Sequence, residues 1–234
     1  LEHRRQRQMC IRDRYILMKK FKTIILLMSS AFFFFTNQNV QAQDFGADVV
    51  SSYVWRGTQF GTGPHIQPWM ELGSGAFTGG IWGSFQTNSL ASNSGNELDL
   101  WVSYDFGPLA LTVTNYSFPD SDGTYSAGGV FDGDMEVAGS TSIGSFDLSV
   151  GYFTGLEALY IEAGFPIGPI GFAVGYGSDG ADPFYAGGDS GLVNISFSGE
   201  KEIKMSDAYS LPVFGSFIFN PDAEAAFLVF GVSF

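Results

Sequence analysis

From residue 43 onward the chain alternates apolar and polar positions with a period of two, and a period of 3.6 is almost absent. The clearest run is Asn96 to Gly107. Leu98, Leu100, Val102, Tyr104 and Phe106 share one face, and Glu97, Asp99, Trp101, Ser103 and Asp105 share the other. One face is uncharged; the other holds carboxylates. The same split recurs in Phe146/Leu148/Val150/Tyr152 against Asp147/Ser149, and in Leu159/Ile161/Ala163/Phe165 against Tyr160/Glu162. It recurs again in Ile66/Pro68/Met70/Leu72 against Gln67/Trp69/Glu71. Twelve strands are predicted, near 45–56, 64–73, 76–87, 96–106, 109–118, 134–143, 146–154, 158–166, 170–178, 191–199, 208–219 and 225–234. Most have about the 9–11 residues that a tilted strand needs to cross a bilayer.

The connections alternate in length. Long polar ones run over 57–63, 88–95, 119–133 and 178–190, and short ones over 73–75, 107–108, 144–145 and 167–168. Short turns at one end and longer loops at the other predict an all-β, antiparallel up-and-down transmembrane barrel, with short periplasmic turns and longer extracellular loops. The stretch 155–157 is short where a long loop is expected, and 200–207 reads as loose. A soluble β-sandwich also alternates. Against it stand the scarcity of lysine on the polar faces and the aromatic residues near strand ends. Tyr53, Trp55, Phe77, Phe85, Tyr104, Phe106, Tyr152, Phe153, Phe165 and Tyr176 are placed as interfacial girdles would be. The closing segment 225–234 sets Ala226, Leu228, Phe230, Val232 and Phe234 on one apolar face. Leu228, Phe230, Val232 and Phe234 resemble the C-terminal signal read by the barrel-assembly machinery, and a barrel's last strand must pair with its first.

The first 42 residues follow another pattern. Met18–Lys22 is basic, Ile24–Phe35 is an apolar run of 12 residues, and Val40-Gln41-Ala42 is a small-residue cleavage site. The run is shorter than the roughly 17–25 residues of a membrane helix, so 18–42 is expected to be a signal peptide. Residues 1–17 are expected to be a non-native upstream extension, and 43–234 to be one outer-membrane barrel. That division changes the charge. Residues 43–234 carry 3 basic and 22 acidic side chains, a net charge of −19, and no cysteine, since Cys10 lies upstream. Disulfides are thereby excluded as staples. So acidic a chain is not expected to bind nucleic acid, whose phosphates need Lys and Arg.

Ser51-Ser52-Tyr53-Val54-Trp55-Arg56-Gly57, Ile66-Gln67-Pro68 with Glu71, Glu97-Leu98-Asp99-Leu100 and Asn220-Pro221 occur in that order. In these motifs the chain resembles the TorF-type porins over most of 45–234. The resemblance implies a barrel of about twelve strands, monomeric or in a small oligomer, and brings no substrate with it.

Catalytic and metal motifs are sparse. His65 is the one histidine after residue 42, and no G-x-S-x-G motif accompanies it. A Ser–His–acid site for an outer-leaflet lipid hydrolase therefore has only its base, and His65 is expected in solvent beside the 57–63 loop. No enzymatic activity, cofactor or metal is expected. Asp120/Asp122, Asp132/Asp134 with Glu136, and Asp179/Asp182 offer oxygen ligands of the kind Ca²⁺ takes, but in no EF-hand spacing, and read as solvated loops. The alternation points Arg56, Glu71, Glu97, Asp99, Asp105, Glu136, Asp147 and Glu162 into the lumen as candidate pore-lining residues. Turning such carboxylates toward lipid would cost on the order of 2.5–3.5 kcal/mol each near the bilayer centre. Trp69, Trp82 and Trp101 would narrow the lumen. The expected function is a porin-like outer-membrane channel for passive diffusion of small hydrophilic solutes, with a cation preference. The alternatives are a closed structural or adhesive barrel and, after it, an outer-leaflet lipid hydrolase using His65. Expected partners are outer-membrane lipid and the barrel-assembly machinery.

Overall fold

The computed structural model describes residues 42–87, 95–119, 124–125, 129–178, 184–185 and 190–234. The proposed extension and nearly all of the proposed signal peptide lie outside them, as do Asp120, Asp122, Asp179 and Asp182.

Strand β1 (Ala42–Val50) is followed by a short pair, β2 (Tyr53–Trp55) and β3 (Thr58–Gly61). Then come β4 (His65–Ser74), β5 (Phe77–Gln86), β6 (Glu97–Asp105), β7 (Ala110–Ser117), β8 (Asp134–Ile143) and β9 (Phe146–Phe153). The series ends with β10 (Ala158–Ile167), β11 (Ile170–Ser178), β12 (Gly191–Lys204), β13 (Ser210–Asn220) and β14 (Ala225–Ser233). All but β2 and β3 pair antiparallel with their neighbours and close a barrel of twelve strands. Closure runs through β1 and β14, with Val49 opposite Val232 and Asp48 opposite Ser233. The Phe234 N–H donates to the Ala47 carbonyl at 3.0 Å, and the Ala47 N–H to the Phe234 carbonyl at 3.2 Å. A sheet closed on itself leaves no backbone edge to hydrocarbon.

Register carries the apolar face from strand to strand. Leu100 stands opposite Ile81, Val102 opposite Val113, Val150 opposite Ile161, and Phe172 opposite Phe165 and Phe197. Leu228 faces Phe217 and is 59% exposed. An exposed apolar belt of this kind, on an otherwise acidic chain, belongs against lipid. Leu228→Arg at mid-strand is expected to destabilise the membrane-embedded barrel by about 2–4 kcal/mol. Denaturant titration in lipid bilayers measures this, and a loss below that of a loop substitution would contradict the lipid-facing assignment.

Three local expectations are corrected. The predicted strand 45–56 stops at Val50. A bend at Ser51-Ser52 sends the chain into the barrel, where β2 and β3 form an inner hairpin in place of a strand end and a polar loop. Tyr53, Trp55 and Phe153 therefore belong to an interior cluster and not to a girdle. The stretch 200–204 is ordered strand, paired from Glu200 opposite Phe214 to Lys204 opposite Ser210, and only 205–209 turns. Cross-strand pairing supplies the order that composition there does not.

Glycine makes room on the wall. A Cβ at Gly46 would lie 2.9 Å from the Trp69 ring, and one at Gly80 would lie 2.8 Å from the Trp101 ring. Both indoles thus lie along the wall over a neighbouring strand's glycine instead of crossing the lumen.

Candidate functional site: the inner hairpin and the acidic lumen

The hairpin turns at Arg56-Gly57, whose φ values of 48° and 78° are both positive, as a two-residue type I′ turn requires. Gly57 suits the second position, and a Cβ there would overlap the Val193 carbonyl. Arg56 does not suit the first. A non-glycine residue in this region costs on the order of 1–3 kcal/mol and persists where its surroundings hold it.

The surroundings are specific. The Arg56 guanidinium donates twice to Glu136 of β8, Nη1 to Oε1 at 2.5 Å and Nη2 to Oε2 at 3.1 Å. Nη1 also donates to the Tyr185 hydroxyl at 2.8 Å. The guanidinium carbon lies 4.1 Å from the Trp55 ring centroid and 4.3 Å from that of Tyr160. A planar fork matched to a carboxylate and flanked by two rings is a task for arginine and not lysine. Glu136 takes a third donor, the Tyr116 hydroxyl, at 3.0 Å.

The rest of the hairpin is tied as firmly. The Tyr53 hydroxyl donates to Glu97 at 2.6 Å, and the Asn220 side chain donates to the Gly57 carbonyl at 3.1 Å. Trp55 packs edge-on against Phe153 and Phe184. Tyr160, Tyr185, Phe153, Ala158 and Val193 make a buried cluster around the tip. The long-loop half of the lumen is thus occupied by hairpin and aromatic rings. Residues 184–185, from the long 178–190 connection, turn inward onto this cluster. Residues 129–131 take the other course. The Asn115 and Ser117 side chains, which share a face with lipid-side Leu100 and Leu98, donate to the Val130 carbonyl, so this turn lies on the outer wall.

Of the sequence-predicted residues, Arg56 sits at the hairpin tip and not on the barrel wall. Glu97, Asp99 and Glu136 surround the hairpin, each buried. Glu162 accepts from the Tyr160 hydroxyl and from Asn194 Nδ2 at 2.9 Å. Glu71 faces the same side as Asp44 on β1. Asp105 accepts from the Gly107 N–H at 2.6 Å, and Asp147 from the Ser142 hydroxyl at 2.6 Å. Asp105, Asp147 and Glu162 line a hollow of about 540 Å³ at the short-turn end. A second hollow, of about 350 Å³, lies beside the hairpin. Among the described residues the cations are Arg56, Lys201 and Lys204, and Lys204 pairs with Asp207 at the 205–209 turn at 2.7 Å.

His65 is not in solvent. Its side chain is fully buried, 6.0 Å from the Tyr53 ring, with Nδ1 2.7 Å from the Gly63 carbonyl. Among the described residues Nε2 has no hydrogen-bond partner. Among the described residues no group of three His, Cys, Asp or Glu side chains is placed to hold a metal ion. Sequence reasoning did not find Tyr53, Tyr116, Tyr160 and Tyr185 as partners of the acidic lumen. The one available signal was Arg-Gly between two short β-prone runs, a hairpin turn in place of a strand end.

The architecture is that of outer-membrane barrel proteins generally. No protein-family model matches the chain, and no curated protein does either, so the likeness to the TorF-type porins rests on its short motifs.

Proposed function

We propose that the protein is a porin-like outer-membrane channel, narrowed by its inner hairpin, for passive diffusion of small hydrophilic solutes with a cation preference. The reading includes export through a signal peptide at 18–42, and insertion by the barrel-assembly machinery guided by Leu228, Phe230, Val232 and Phe234. It is in keeping with a place among the TorF-type porins.

One observation carries it. The inner face bears carboxylates from Asp105 and Asp147 at the short-turn end up to Glu97 and Glu136, and its one guanidinium is committed to Glu136. Unneutralised carboxylates in a narrow, low-dielectric passage concentrate cations and repel anions. Glu71, Asp99, Asp105, Asp147 and Glu162 are the pore-lining residues in this reading; Arg56, Glu97 and Glu136 hold the constriction. The hairpin-filled long-loop half favours a second reading, a closed structural or adhesive barrel whose loops bind an external partner.

Planar bilayers separate the two. Small unitary currents are expected, with a reversal potential of cation-selective sign under a salt gradient. Silent membranes containing folded protein, or an anion-selective sign, would refute the channel.

A further inference from the structure

The hollow beside the hairpin has two unlike sides. Asp48 and Asp99 line it together with the rings of Tyr53, Trp82 and Tyr116, while β13 and β14 contribute apolar side chains including Val229. Asp99 is 6% exposed, and its Oδ1 is buried with no hydrogen-bond partner. Glu97, two residues along the same strand face, accepts from Tyr53 and brings a second carboxylate close by. Arg56, the nearby cation, is held by Glu136, Tyr185 and two rings. A buried carboxylate without a counter-charge is costly, and a like charge beside it raises that cost. A proton held between the two carboxyls relieves part of that cost, and a cation seated in the hollow would relieve it further.

The surroundings define the kind. Metal ions of the hard class need several oxygen ligands, and here no group of three candidate side chains converges among the described residues. Trp82 and Tyr116, opposite Asp99 on the two neighbouring strands, flank the carboxylate instead, and rings attract cations that shed water readily, organic ammonium ions above all. A volume of about 350 Å³ falls within the size range of small-molecule sites. We propose that this chamber binds a small organic ammonium cation, its head group between Asp99 and the rings of Tyr53 and Trp82 and its apolar body against Val229. Binding needs no current, so it stands even for a barrel that does not conduct.

The test is calorimetric titration of folded barrel, in a maltoside detergent free of quaternary ammonium groups, with three probes of one shape. These are benzylammonium, neutral benzyl alcohol and anionic benzoate. Saturable binding of benzylammonium is expected, with benzyl alcohol weaker by about tenfold or more and benzoate not bound. Asp99→Asn is expected to weaken benzylammonium binding by about tenfold or more, and Trp82→Leu by several-fold. Asp207→Asn, at the far turn, is expected to leave it unchanged. The probe series on the unmodified protein decides the matter even if Asp99→Asn does not fold. No benzylammonium binding, equal binding of benzyl alcohol, unaltered affinity in folded Asp99→Asn, or displacement by equimolar sodium would each overturn the proposal.

Discussion

Excising the inner hairpin, with 53–61 replaced by a two- or three-residue Gly/Ser linker, is expected to raise unitary conductance several-fold. The excision is geometrically mild. Tyr53 and Gly61 are paired across the base of the hairpin, and the Ser52 hydroxyl reaches the Gly61 carbonyl at 2.7 Å, so the cut ends already lie together. The wall does not depend on the hairpin for its ladder, because β1 pairs directly with β4 and β14. Removal takes the hairpin and its own rings out of the long-loop half and leaves Glu97 and Glu136 without Tyr53 and Arg56. Water entering the widened lumen hydrates them, which lowers the cost of leaving them unpaired. The opened barrel keeps its carboxylates and loses its guanidinium, so cation selectivity should rise along with the current. Conductance unchanged from the parent, in a variant that migrates as a folded barrel, would show that the hairpin is not the constriction.

The second large effect concerns the latch at the hairpin tip. Arg56→Met is expected to destabilise the protein by about 3–5 kcal/mol, because it leaves the Glu136 carboxylate buried and uncompensated. The Glu136 side chain is 3% exposed and that of Arg56 is 15%, so solvent screens this pair little. Arg56→Lys should recover only part of the loss, since an ammonium reproduces neither the two-pronged bond nor the contact with both rings. Arg56→Met combined with Glu136→Gln should recover most of it, since no charge is then stranded. Denaturant unfolding of these proteins in bilayers, with Glu136→Gln alone to close the cycle, gives the coupling. A cost for Arg56→Met below about 1 kcal/mol, as at an exposed ion pair, would mean that the tip is hydrated and the latch weak.

The strands were legible because a barrel wall is a local problem. Each strand must turn one face to lipid and one to the lumen, so a period of two is imposed residue by residue, and Leu98 to Phe106 declare their side without reference to any other strand. Turn lengths add the order of strands for the same reason. At 51–61 local pattern misleads. Tyr53, Val54 and Trp55 continue the alternation of β1 as a wall strand would, yet they leave the wall. Tyr53 and the adjoining Arg56 find their partners in Glu97, Glu136, Tyr160 and Tyr185, which lie far along the chain and meet only once the sheet has closed. His65 misled likewise: beside a stretch that reads as polar loop it looks solvated, and the folded hairpin buries it.

An all-β barrel of twelve strands, the lipid face of its closing strand and the strong acidity of the chain follow from period, turn spacing and composition. That the lumen holds a hairpin, that Arg56 sits at its tip bound to Glu136, and that Asp99 is buried without a hydrogen-bond partner for Oδ1 emerges once the barrel has closed. Those features depend on which side chains meet across a closed ring of strands. Alternation orders side chains along one strand, but it carries no information about what stands opposite them in the lumen.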